Sequence, residues 1–199
     1  MATISMARIV PIIISKFIIL TLLSPFAIVH ATKENQGFLR TLDRKLHGFK
    51  KEKLTHFRAY WHDTYSGSNP TAMPVVRPPS NASATLFGSI SMIDDPLTEG
   101  PGVGSKLIGR AQGLYGSASQ AESALFMAMN FVFLEGKYNG STISILGRNQ
   151  VFSEVREMPV IGGSGLFRFA RGYAHVKTVS FNTKTGDAVV EYNVYVLHY

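Results

Sequence analysis

Over residues 54–199, apolar and polar side chains alternate in short runs, and glycine or proline interrupts each run. Residues 138–147, YNGSTISILG, carry the plainest case. An Asn-Gly pair marks a tight turn. After it, Thr142, Ser144 and Leu146 fall on one side of the chain and Ile143 and Ile145 on the other, the period of a strand. Residues 154–160 repeat the pattern, and the cluster Gly162-Gly163-Ser164-Gly165 is predicted to turn the chain again. The same reading places strands at 54–63, 84–93, 108–115, 125–134, 167–181 and 188–198, with a bulge or corner at Gly172. In the last of these, Val190, Tyr192, Val194 and Val196 face one way, opposite Glu191, Asn193, Tyr195 and Leu197. Residues 64–70, 75–83, 94–96 and 100–104 read as loops, being rich in Gly, Pro, Ser and Asp.

About eight strands, with turn signals every ~8–15 residues and no helical run of useful length, define an all-β chain. The economical architecture is an eight-stranded antiparallel β-barrel, because closure removes the exposed sheet edges. A barrel of that size has room for a small ligand in its mouth. A β-sandwich is the alternative.

The remainder of the chain has a different texture. Residues 1–31 carry only Arg8 and Lys16 as charges, an apolar run, and Val29-His30-Ala31 at the end, which is the layout of a secretory signal peptide. Lys16 and Pro25 break the apolar stretch well short of a membrane span. Residues 32–53 form a charged arm in which Lys and Arg outnumber Asp and Glu, with a short helix through Phe38, Leu42 and Leu46 as the other option. Residues 54–199 are then the folded domain. Export directs the formal net charge of +7 toward an anionic cell wall rather than nucleic acid. A hydrophobic fraction of 45% is enough for a packed core without disulfides, and the chain has no cysteine. Thiol catalysis, zinc–cysteine sites and iron–sulfur clusters are thereby excluded.

The familiar catalytic patterns are missing. Gly100, Gly102 and Gly104 suggest a phosphate loop, but Leu107 occupies the place of the third glycine. Ser164 lies in GGSGL, which is not a nucleophile elbow. His47, His56, His62, His175 and His198 lack metal-ligand spacing and read as scattered surface or wall residues. Neither a cofactor nor a metal is called for. Asn81 and Asn139 head N-glycosylation acceptor triplets in predicted loops. Two polar residues stand out among the aromatics. Asp63 follows Tyr60-Trp61-His62; if buried there, desolvation would raise its pKa and let it donate a proton near neutral pH. The other reading is a loop cap. Arg156 could counter a carboxylate or clamp a phenolate, or be an exposed strand charge.

Six segments in order, WHDTYSGSNPTA, FGSISMIDDPLTEGP, LIGRAQGLY, MNFVFLEGKYNGSTISILGRN, REMPVIGGSGLFRFARGYA and VEYNVYVLHY, resemble the plant dirigent proteins over essentially the whole of 54–199. The resemblance implies an eight-stranded antiparallel barrel, secretion to the apoplast, N-glycosylation and a homo-oligomer, usually a trimer. It also implies the role of steering phenoxy radicals, made by a separate laccase or peroxidase, into stereoselective coupling, as in lignan formation. The protein itself would need no oxidising centre, which leaves open whether it counts as an enzyme. By the same resemblance, Asp63 matches the proton-donating aspartate of an HD motif. Arg156, Tyr115 and Thr178 match further pocket residues. Asn149 stands where lignan-forming members tend to have a second aspartate, and Ser117 where they have a second tyrosine. An amide can hydrogen-bond a phenol but cannot act as an acid. The chain therefore looks more like the broad non-lignan subgroup, some of whose members close rings through quinone methides. A non-catalytic wall-binding module, organising lignin deposition or recognising a glycan, is the competing expectation.

Overall fold

The computed structural model describes residues 41–44, 46, 47, 49, 51–79 and 84–199. The predicted signal peptide, most of the predicted arm and Asn81 lie outside the described residues. The chain divides into two units, 1–47 and 48–199. The described part of the first contains a single turn, in which His47 N–H donates to the Asp43 carbonyl.

The second unit is all β. Its strands are β1 (Lys53–Asp63), β2 (Ala72–Val76), β3 (Ile90–Thr98), β4 (Leu107–Ser117), β5 (Ala124–Phe133), β6 (Thr142–Gln150), β7 (Arg156–Ser164), β8 (Arg171–Phe181) and β9 (Ala188–His198). Their order is β1-β9-β8-β7-β6-β5-β4-β3, and pairing of β1 with β3 closes the ring as an eight-stranded antiparallel barrel. The ninth strand, β2, lies outside the ring on the edge of β3.

Alternation decides which side chains enter the barrel. In β9, Val190, Tyr192, Val194 and Val196 are all buried. In β6, Ile143 and Ile145 are buried, while Leu146 lies outside. One end of the barrel is filled by aromatic rings. Phe167 is fully buried, with ring centroids 5.4 Å from Phe57, 5.4 Å from Phe133 and 4.8 Å from a stacked Tyr138. Burying a ring of that size contributes about 1.5–3 kcal/mol. Above the plug, Trp61 and Phe131 pack edge-on against Tyr192, and Trp61 also lines the hollow other end.

Several local expectations change. The 84–93 stretch begins as a turn, with Leu86 at φ 56°, and the strand runs through Asp94-Asp95-Pro96 instead. Three turn-forming residues in a row hid an alternation in which Ser91, Ile93, Asp95 and Leu97 all point inward. Residues 72–76 form β2 despite Pro74, because β2 is an edge strand and can spare a donor. Gly162, Gly163 and Ser164 complete β7, and the chain turns afterwards, in a 3-10 turn at Gly165–Phe167 and at Phe169, whose φ is 62°. Gly172 is not a bulge; it pairs regularly with Val196, and a Cβ there would fall 1.9 Å from the Tyr195 carbonyl oxygen. The irregularity of β8 lies at Thr178–Ser180 instead. His198 is buried rather than on the surface, bonded to the Thr55 hydroxyl at 2.8 Å.

Candidate functional site

At the hollow end lies a cavity of about 790 Å³, in the range of small-molecule sites. Asp63, Tyr115, Asn149, Arg156 and Thr178, dispersed over more than a hundred residues of sequence, all line it. They fall into two groups on opposite walls.

The first group sits on β1, β3 and β4. Asp63 ends β1 and points inward, 6% exposed. Its Oδ2 lies 2.8 Å from the Tyr115 hydroxyl. That hydroxyl lies 2.7 Å from the hydroxyl of Tyr65, which in turn lies 2.6 Å from the Ser91 hydroxyl. Each hydroxyl has one hydrogen to give. With Asp63 ionised, Tyr115 donates to it and accepts from Tyr65; with Asp63 protonated, the chain can run the other way. Burial pushes the Asp63 carboxyl up to about 6, against the Tyr115 bond, with the Asp187 charge adding to the rise. Burial and the Asp63 charge likewise raise Tyr115, so it stays a neutral phenol. The loop-cap reading of Asp63 does not hold. Asp187 caps that loop, accepting from Tyr65 N–H at 2.8 Å and Ser66 N–H at 3.0 Å.

The second group sits on β6, β7 and β8. Arg156 is 5% exposed, so it is no exposed strand charge. Its Nε donates to Asn149 Oδ1 at 3.0 Å, and its Nη1 donates to Thr178 Oγ1 at 2.8 Å and to the Ser153 carbonyl at 3.3 Å. Among the described residues no carboxylate pairs with it. Desolvation lowers its pKa, but a guanidinium remains charged. The β6–β7 ladder ends at Ile145–Val160, beside Pro159, which has no N–H. Beyond it the two strands are bridged by the Asn149–Arg156 bond. Apolar surface from Trp61, Leu125 and Val190 lies on the lining between the two groups.

Tyr65, Ser91 and Asp95 were not singled out from the sequence. Tyr65 and Ser91 extend the hydroxyl chain and line the cavity. Asp95 is fully buried beneath it. Alternation along 90–98 was the signal that could have found Ser91 and Asp95. For Tyr65, on a loop, there was none. Asn139 is exposed on the hairpin between β5 and β6.

An acid on one wall, a cation on the other and apolar surface between suit a flat phenolic molecule with oxygens at both ends. A family profile described as Dirigent-like protein matches residues 54–197. Dirigent protein 7 from Arabidopsis thaliana is 51% identical over 194 residues, covering 98% of this chain and 100% of that protein. Pterocarpan synthase 1 from Glycyrrhiza echinata is 46% identical over 185 residues, covering 92% of this chain and 96% of that protein. The solved structure of a pterocarpan synthase dirigent protein superposes with a TM-score of 0.72 at 48% identity, covering 76% of this chain and 88% of that one. With the barrel, the pocket and these relatives in agreement, the chain belongs to the dirigent family.

Proposed function

We propose that this chain directs the stereochemistry of a phenolic quinone methide, holding it between Asp63 and Arg156 while a hydroxyl closes a ring. The observation that carries the reading is a buried acid, raised to about 6, on the wall of a large cavity opposite a buried guanidinium. Closure of a quinone methide leaves negative charge on its carbonyl oxygen. A neutral Asp63 supplies the proton for that oxygen. Arg156, with no protein acceptor on Nη2 among the described residues, clamps a second oxygen. Holding the attacking hydroxyl and the electrophilic carbon in one geometry selects the face of attack. A 100-fold facial preference requires only about 2.7 kcal/mol.

The substrate class favoured is an isoflavonoid-type phenol rather than a lignan precursor. Relatives named pterocarpan synthase support this. So does the chemistry of Asn149, which is committed to Arg156 and cannot serve as a second acid. Radical coupling with an external oxidase supplying the radicals is the alternative for the same pocket. Secretion to the apoplast, N-glycans at Asn139 and Asn81, and a homo-oligomer belong to the same proposal. A row of apolar side chains supports the last. By strand register, Met73, Met92, Leu114, Ala128 and Leu146 align across the outside of β2 to β6.

The test is incubation of the purified protein with isoflavanols, and separately with laccase and monolignols, read by chiral chromatography. Wild type should give one enantiomer of the cyclised isoflavanol, and Asp63→Asn should lose that selectivity while keeping its fold. Spontaneous, racemic product in every arm would overturn the reading and leave a binding module.

A further inference from the structure

The barrel closes at a strand switch. Only Tyr60–Thr98 and Trp61–Leu97 pair β1 with β3; the other half of β3 pairs with β2, from Ala72–Ile93 onward. Continuing the β1–β3 register two residues past its last pair puts Asp63 opposite Asp95. Both side chains point inward, at 6% and 0% exposure. Asp95 Oδ1 accepts from the Thr71 hydroxyl at 2.5 Å. Asp95 Oδ2 and Asp63 Oδ1 are buried with no hydrogen-bond partner. A buried carboxylate oxygen without a donor is costly, so two such oxygens at facing positions call for a proton.

We propose that Asp95 is a positioning residue for Asp63, the two carboxyls keeping one proton between them so that Asp95 supplies the proton that Asp63 donates. This rests on the reading of the site given above. Protons balance over a turnover. Asp95 O–H passes the shared proton to Asp63, Asp63 O–H gives it to the quinone methide oxygen, and the pair regains one from the hydroxyl that closes the ring. No oxidant or reductant takes part.

The surrounding charges fit a shared proton. The Asp187 carboxylate faces Asp63 from the loop before β9, and Tyr115 on β4 and Tyr65 after β1 bond around it. Tyr192 of β9 is kept neutral by burial. The guanidinium of Arg110 on β4 acts on Asp95 only weakly, because it is committed to Asp94 on the outer face. The Trp61 indole lies near Asp95 without a formed hydrogen bond and opposes its rise only in part. Burial and the Asp63 charge push Asp95 up to about 8, against about 6 for Asp63. Two coupled carboxyls lose their protons in two steps that belong to the pair.

The experiment has two arms. In the first, the carboxyl carbons of isotopically labelled wild type are titrated by NMR without substrate. Asp95 should stay protonated to about pH 8 and lose its proton after Asp63. In the second, the pH profile of isoflavanol cyclisation is compared for wild type and Asp95→Asn, an isosteric change that keeps an acceptor for Thr71. The falling limb should move from near pH 8 to near pH 6, with the product's handedness unchanged. An Asp95 ionised at pH 6 in wild type overturns the proposal, even if the variant does not fold. So do coincident pH profiles. A wild type inactive on every phenol overturns the reading of the site itself.

Discussion

Two aspartates next to each other in sequence meet opposite fates. Asp94 points out and pairs with Arg110 at 2.5 Å, which holds its carboxyl below the usual range. Asp95 points in and is raised to about 8. The pleat alone separates them. Their inward-facing neighbours give stability a pH dependence of definite sign. Asp63 and Asp95 bind protons more tightly folded than unfolded, so their contribution is complete below the ordinary carboxyl value of 3.8 and is lost as pH rises through about 6 and 8. For Asp63 alone the loss is up to about 3 kcal/mol. Urea unfolding of wild type should therefore show stability falling between pH 4 and 8. Asp95→Asn should flatten that slope, and an equal slope in both proteins would refute the assignment.

Among the elements, the two ends of the barrel have separate duties. The plug around Phe167 stabilises the fold, and the opposite end carries the pocket. Phe167→Ala should cost about 3–5 kcal/mol in urea unfolding while leaving enantioselectivity intact at a temperature where the protein stays folded. A change in product handedness would show that the ends are coupled. Gly172→Ala is expected to be costly for a different reason. Its Cβ would meet the Tyr195 carbonyl oxygen at 1.9 Å, forcing β8 from β9 at a loss of about 3 kcal/mol or more.

Taken as a whole, the ring sets β1, β3 and β4 opposite β6, β7 and β8. Proton donor and guanidinium thus face each other across the cavity without sharing a strand or a direct neighbour. The apolar row on β2 to β6 lies on the outer surface, clear of the cavity floor. Met92→Lys, at 46% exposure and second in that row, should yield monomers in sedimentation velocity with an unchanged far-UV spectrum. A wild type already monomeric at micromolar concentration would dismiss the assembly.

Much of this was determined by the sequence alone, because the two-residue period of a strand is local. The alternation in β6 and β9 indicated which side chains are buried, and the number of such runs indicated a closed barrel. The resemblance then pointed to Asp63, Tyr115, Arg156, Asn149 and Thr178, all of which line one cavity. What the sequence left open depends on pairing between strands remote along the chain. Whether Asp63 capped a loop or faced a cavity was decided by Asp187, 124 residues away. Asp95 read as a turn because Asp-Asp-Pro is a turn-forming triplet. The pleat turns it inward, and only the switch of β3 from β2 to β1 sets it opposite Asp63. Local pattern specifies a strand's face; closure of the ring specifies what that face meets.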